Sequence, residues 1–74
     1  MTANANKGVE YLISLAKQSS NGTAVHLAAV KALGEAGGPA AQEYLVSLAN
    51  QVSTGTAVHM AAVAAIGRAS REYA

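Results

Sequence analysis

The segment EYLISLAKQSSNGTAVHLAAVKALGEA at residues 10–36 returns as EYLVSLANQVSTGTAVHMAAVAAIGRA at residues 43–69. The offset is 33 residues, with no insertion or deletion between the two copies. A fixed period of this length is typical of proteins in which one structural unit is repeated and stacked on its neighbour. The chain is therefore predicted to be a single domain, residues 1–74, made of two repeats at about residues 7–38 and 39–74.

The apolar residues recur at helical spacing, and no alternating strand pattern competes with that spacing. The first and third predicted helices are amphipathic, whereas the second and fourth are apolar almost all round, which is typical of a helix buried on more than one face. Because the connections are short, neighbouring helices are expected to be antiparallel. We predict an all-α fold of two stacked antiparallel helical hairpins, a short α-solenoid. The predicted helices are residues 7–19, 24–36, 39–52 and 56–72, and residues 1–6 are expected to be frayed.

The composition predicts a domain that is marginal by itself. A chain of this length buries only about 60% of the surface that its unfolded form exposes. Hydrophobic residues make up 51% of the chain and charged residues 12%, against a usual charged share of about 25%. Cysteine is absent, which excludes disulfides and thiolate metal sites. We therefore expect another chain to cover part of the apolar surface, and a homodimer is favoured because two-fold closure is the commonest oligomeric arrangement.

Charge and hydropathy argue against two classes of partner. The net charge is only +1, and the basic residues do not form the stripe that nucleic-acid binding requires. The polar start, MTANANKG, lacks the apolar core of a signal peptide, and polar residues interrupt the uncharged stretch 44–67, so it is not predicted to span a membrane. We expect a cytoplasmic protein with no nucleic-acid or membrane partner. The scattered basic residues are Lys7, Lys17, Lys31, Arg68 and Arg71.

Two repeat families contain related motifs. The string TAVHLAA at residues 23–29 resembles the ankyrin signature T-P-L-H-x-A, but Ala24 stands in the proline position. The link of residues 53–55 is also too short for the β-hairpin loop of an ankyrin unit. The segment TAVHLAAVKALGEAGGPAAQEYLVSLANQ, residues 23–51, more closely resembles a short HEAT repeat of the phycobilisome-lyase type.

In that family one helix reads V-R-x-x-A-A-x-A-L-G, a turn with Gly and Asp-Pro follows, and the next helix reads A-x-x-x-L-x-x-L-L. The resemblance covers about residues 9–69, with His at positions 26 and 59 where the family usually has Arg, and Gly38 where it usually has Asp. It implies a non-enzymatic scaffold that binds a protein or peptide. An accessory subunit of a lyase and a DNA-binding protein are the alternatives. The matching residues are Val25, Ala28, Ala29, Ala32, Leu33, Gly34, Gly37, Gly38, Pro39, Ala41, Leu45, Leu48, Ala49, Val58, Ala61, Ala62, Ala65, Ile66 and Gly67.

Two repeat-related pairs are candidates for reactive sites. His26 and His59 lie at equivalent positions, and packed helices are about 8–10 Å apart, so the imidazoles could form a metal or pH-sensitive site. Two His residues without Asp or Cys are a poor set of metal ligands. A role for each His in local hydrogen bonding near a helix start is therefore favoured over a metal site. Glu10 and Glu43 are predicted to complement helix dipoles rather than to act as an acid–base pair. No metal or cofactor is therefore predicted.

No catalytic constellation is visible in the sequence. Asp is absent, so no Ser-His-Asp triad is possible, and the Gly-rich residues 34–38 lack the strand and Lys of a phosphate-binding loop. Gly34 and Gly67 are predicted to permit close helix packing. Whether the two copies reflect a natural duplication, a design or a truncated array stays open. The predicted interface residues are Tyr11, Tyr44, His26, His59, Lys31 and Met60; for the two tyrosines a place at the core boundary is equally favoured.

Overall fold

The computed structural model describes residues 7–70, which form four α-helices and confirm the all-α prediction. The predicted starts and ends agree with the observed ones to within a residue, except at the last helix. There the predicted end, residue 72, lies outside the described residues, as do residues 1–6, which were predicted to be frayed. The helices are α1 (Lys7–Gln18), α2 (Ala24–Ala36), α3 (Pro39–Gln51) and α4 (Ala57–Ser70).

The turn residues account for where the helices begin and end. Thr23 is the N-cap of α2, and its side chain accepts a hydrogen bond from the His26 backbone N–H. Gly37 follows α2 with φ of 69° and donates its N–H to the Leu33 carbonyl, which closes the helix end. A residue with a Cβ rarely adopts such a φ, so glycine suits this position. Pro39 then begins α3, where its missing N–H costs no helical hydrogen bond.

The helices pack as two hairpins lying side by side. Helix α1 packs against α2, α3 packs against α4, and the inner helices α2 and α4 make the most extensive contact of all. The antiparallel course of the second hairpin is visible in a hydrogen bond from Gln42, early in α3, to the carbonyl of Ala69, late in α4. Helices α2 and α4 run in the same direction, because Gly22 lies near Val58 at their starts and Gly34 lies near Ala65 further along.

The core lies between the two hairpins. Val30 and Leu33 from α2 and Leu45 from α3 are fully buried there, together with Ala62 from α4. The outer helices α1 and α3 contact each other much less than the inner helices do. The apolar, small-residue character of α2 and α4 therefore serves the stacking of one repeat on the other, as expected for a helical repeat.

The two glycines that were predicted to permit close packing differ. A Cβ at position 34 would lie 2.8 Å from the Ala65 Cα, so Gly34 permits the close approach of α2 and α4 and confirms that prediction. At position 67 a Cβ would meet no atom within 4 Å among residues 7–70. Gly67 holds the same place in the second repeat, but no helix within residues 7–70 approaches it, so the close-packing prediction is wrong for Gly67 in this part of the chain.

Candidate protein-interaction site

Residues at equivalent positions in the two repeats differ in burial. In each repeat, the positions that face the other repeat are the more buried ones. Val30 in α2 is 0% exposed because the second repeat covers it, whereas its counterpart Val63 in α4 is 50% exposed. Met60, on the same helix, is also largely exposed, and its counterpart Leu27 is partly buried. The side of the second repeat that points away from the first is therefore apolar and uncovered within the described residues.

The opposite end of the stack shows the reverse pattern. Val25 in the first repeat is 52% exposed, whereas its counterpart Val58 is 8% exposed because the first repeat covers it. Ala28 and its counterpart Ala61 differ in the same sense. Among the described residues, the first repeat therefore has its own uncovered side. This side is made of positions whose counterparts in the second repeat are buried against the first.

We name these two surfaces by their position in the stack. The leading face belongs to the first repeat and the trailing face to the second. Each is a patch of apolar and small side chains, and exposed apolar patches of this kind commonly mark sites of protein association. The leading face is Tyr11, Val25, Ala28 and Ala32; the trailing face is Val46, Met60, Val63 and Gly67.

One ion pair crosses between the repeats at the edge of the inner helices. Arg68 Nη2 lies 2.7 Å from Glu35 Oε2, and both side chains remain roughly half exposed. Position 68 is the repeat equivalent of position 35, so this pair joins matching sites of opposite charge. The ion pair between Glu35 and Arg68 therefore indicates the register in which the second repeat packs against the first.

The two histidines serve the turns that precede the inner helices. The Gly22 N–H donates to His26 Nδ1 over 3.2 Å, and the Gly55 N–H donates to His59 Nδ1 over the same distance. This confirms the predicted local hydrogen bonding. His26 is fully buried and so offers no surface to a partner in the monomer, whereas His59 is partly exposed. Among residues 7–70, there is no group of three or more His and Glu side chains that could hold a metal ion.

The tyrosines occupy different surroundings in the two repeats. Tyr11 is 65% exposed and lies on the leading face. Tyr44 is partly buried, which raises the pKa of its phenol above the ordinary value by desolvation. It lines a shallow groove of about 530 Å³ between the outer helices, beside Ile13 and Lys17. The first repeat therefore covers part of Tyr44. Among the described residues, no repeat lies in the equivalent place beside Tyr11.

Lys31 lies at a second groove, between the inner helices. This groove is about 480 Å³, and small side chains of α4 form much of its lining. Lys31, Glu35 and Arg68 contribute charge to it. Glu10 and Glu43 are exposed on separate outer helices. Glu10 lies in the first turn of α1, as the helix-dipole prediction requires, but α3 has no acidic residue in its first turn, so that prediction is wrong for Glu43. The groove lining is Leu27, Lys31, Glu35, Ala57, Ala61, Ala64, Ala65 and Arg68.

The sequence-based interface prediction includes Tyr11 and Met60, which the structure leaves exposed, and does not include the exposed Val25, Val46 and Val63. The missed valines look like ordinary core positions, because each has a more buried counterpart in the other repeat. The signal that identifies them is their place in the order of repeats: a face buried between two units is exposed at the end of the array.

No protein family, curated protein or solved structure matches this chain. The HEAT-like character stated from the residues therefore stays a prediction. Within residues 7–70, no helix combines the length and the apolar content needed to cross a membrane.

Proposed function

We propose that this chain is a non-enzymatic protein-interaction module of two HEAT-like repeats, located in the cytoplasm, that associates with further copies of itself. The observation that supports the proposal is the exposure of Val25 and Val63 at positions whose repeat equivalents are buried. In a repeat protein such positions are covered by the neighbouring unit. Covering them from outside requires another protein surface of matching shape.

The energetics favour a weak, concentration-dependent association. Full burial of a valine or methionine contributes about 1.5–3 kcal/mol, so the half-exposed Val25 and Val63 each have roughly 1 kcal/mol to gain. Met60, which is 62% exposed, adds a similar amount. Association costs about 4–15 kcal/mol in lost freedom of motion. Several such contacts are therefore needed together, and only a weak association that depends on concentration is expected.

Sedimentation of the full chain from low micromolar to millimolar concentration tests the proposal. The weight-average mass should rise above that of a monomer as the concentration increases. The substitution Val63→Glu should return the mass to that of a monomer, because it buries a carboxylate in the interface. Ser20→Glu is the matched control, since Ser20 and its counterpart Ser53 are both exposed, lie in the turns and line neither groove between the repeats. A monomer at every concentration would overturn the proposed self-association.

A further inference from the structure

We propose that the association is head-to-tail: the trailing face of one copy stacks on the leading face of a second copy and repeats the contact between its own two repeats. This inference rests on the proposed function and adds a direction to it. A head-to-tail contact pairs two different surfaces, whereas the two-fold homodimer favoured by the sequence would pair one surface with itself. The two arrangements therefore make opposite predictions for variants blocked at one face.

The first support is that both halves of this interface already meet inside the chain. Gly34 receives Ala65 at a distance that leaves no room for a Cβ. The repeat equivalents of these residues are Gly67 on the trailing face and Ala32 on the leading face, and Gly67 has open space around its Cβ position within residues 7–70. A second copy placed in the internal register would set its Ala32 against Gly67.

The larger side chains follow the same rule. Val30 is covered by the second repeat, and Val58 is covered by the first. Their equivalents, Val63 and Val25, are the two half-exposed valines of the inner helices. One stacking step would therefore cover both at once, on opposite sides of a single interface. Close packing of apolar side chains needs this kind of shape complementarity rather than mere apolar character.

The charges favour the same register. In the internal contact Arg68 pairs with Glu35 at 2.7 Å. Head-to-tail stacking would bring Glu35 of the second copy next to Arg68 of the first copy, on the side away from the first copy's own Glu35. The guanidinium group has five N–H donors in a planar fork, so it can serve two carboxylates.

The test uses two variants of the full chain, each blocked at one face. Val63→Glu blocks the trailing face and Val25→Glu blocks the leading face; both side chains are half exposed, so each variant should fold, as checked by circular dichroism. Head-to-tail association predicts that each variant alone is a monomer. An equimolar mixture should form a 1:1 heterodimer and grow no further, because only one intact pair of faces remains. Native mass spectrometry with one variant isotopically labelled distinguishes the heterodimer from homodimers.

The outcomes separate the direction from the proposed function. If Val25→Glu still self-associates, the trailing face pairs with itself; if Val63→Glu does so, the leading face pairs with itself. Either result overturns the head-to-tail inference and leaves self-association standing. A mixture that stays monomeric, although the unsubstituted chain associates, also overturns the inference. If the unsubstituted chain itself is monomeric at every concentration, the proposed function fails with it.

A second pair of variants tests the register without adding a carboxylate to the apolar patch. Arg68→Glu should weaken the association roughly tenfold at low salt, and the exchange Glu35→Arg with Arg68→Glu should restore most of it. Ser20→Glu is again the control for an added negative charge. Equal weakening by Arg68→Glu and by the exchanged variant would contradict the internal register.

Discussion

Gly34 on α2 lies against Ala65 on α4 so closely that a Cβ at position 34 would meet the Ala65 Cα at 2.8 Å and its Cβ at 2.9 Å. The nearest of these atoms belongs to the backbone, which cannot rotate away as a flexible side chain does. Since packed interiors adjust little to added volume, the glycine helps to set the spacing between the inner helices. The repeat thus depends on the absence of a side chain at this position.

Replacing Gly34 should therefore destabilise the fold. Gly34→Ala would gain about 0.5–1 kcal/mol of helix propensity, but the added methyl group must push α2 and α4 apart. Overpacking of this kind costs typically about 1–3 kcal/mol. We expect a net loss in the free energy of unfolding, measured by urea denaturation at low protein concentration.

Gly67→Ala is the matched control, because Gly67 is the repeat equivalent and its Cβ position is open within the described residues. There the gain in helix propensity is unopposed in the monomer, and the free energy of unfolding should rise by about 0.5–1 kcal/mol. Equal effects of the two substitutions would show that the contact between Gly34 and Ala65 does not constrain the packing.

The helices and turns were predictable because their signals are local. Thr23 before an apolar helix, Gly37 after it and Pro39 at the next start each follow from backbone chemistry that depends on only a few neighbouring residues. The 33-residue period supplied the arrangement into two similar hairpins. These features required no knowledge of which surfaces meet in the fold.

The two exposed apolar faces were not predictable in the same way. His26 and His59 have almost the same neighbours in sequence, yet the first is fully buried and the second is partly exposed. The same is true of Val30 and Val63. Burial here depends on whether another repeat follows, and a local pattern contains no such information. Only the count and order of the repeats distinguish a core position from an exposed face.

The ion pair between Glu35 and Arg68 should contribute little to the stability of the monomer. Both side chains are about half exposed, and exposed pairs typically contribute about 0.2–1 kcal/mol, which salt screens. A double-mutant cycle with Glu35→Gln and Arg68→Gln should give a coupling energy within that range. The coupling should shrink at high salt. A coupling well above that range, or one insensitive to salt, would contradict a solvent-screened pair.

Burial of Tyr44 should make the stability depend on pH in the alkaline range. Its pKa is raised by desolvation, so the folded state holds the phenol proton more tightly than the unfolded state does. This contribution to stability is fully present below the unfolded-state pKa, about 10. It is lost as the pH rises through the higher folded-state value. Chemical denaturation across that range should show a falling free energy of unfolding.

Tyr44→Phe should lessen this alkaline loss, because it removes the group that must ionise. Tyr11→Phe is the control: it removes the hydroxyl at the equivalent position, where the side chain is 65% exposed. If Tyr44→Phe leaves the dependence on alkaline pH as steep as in the unsubstituted chain, another group is responsible for it.

The two histidines should differ in their contribution to stability, although both accept a hydrogen bond from the preceding glycine. His26→Ala removes a fully buried ring and leaves a cavity, which should cost about 2–5 kcal/mol. His59→Ala should cost less, because its hydrogen bond with Gly55 is exposed and water can replace it. Urea denaturation of both variants at low protein concentration measures the difference. A larger loss for His59→Ala would mean that the turn, and not the neighbouring repeat, determines what each histidine contributes.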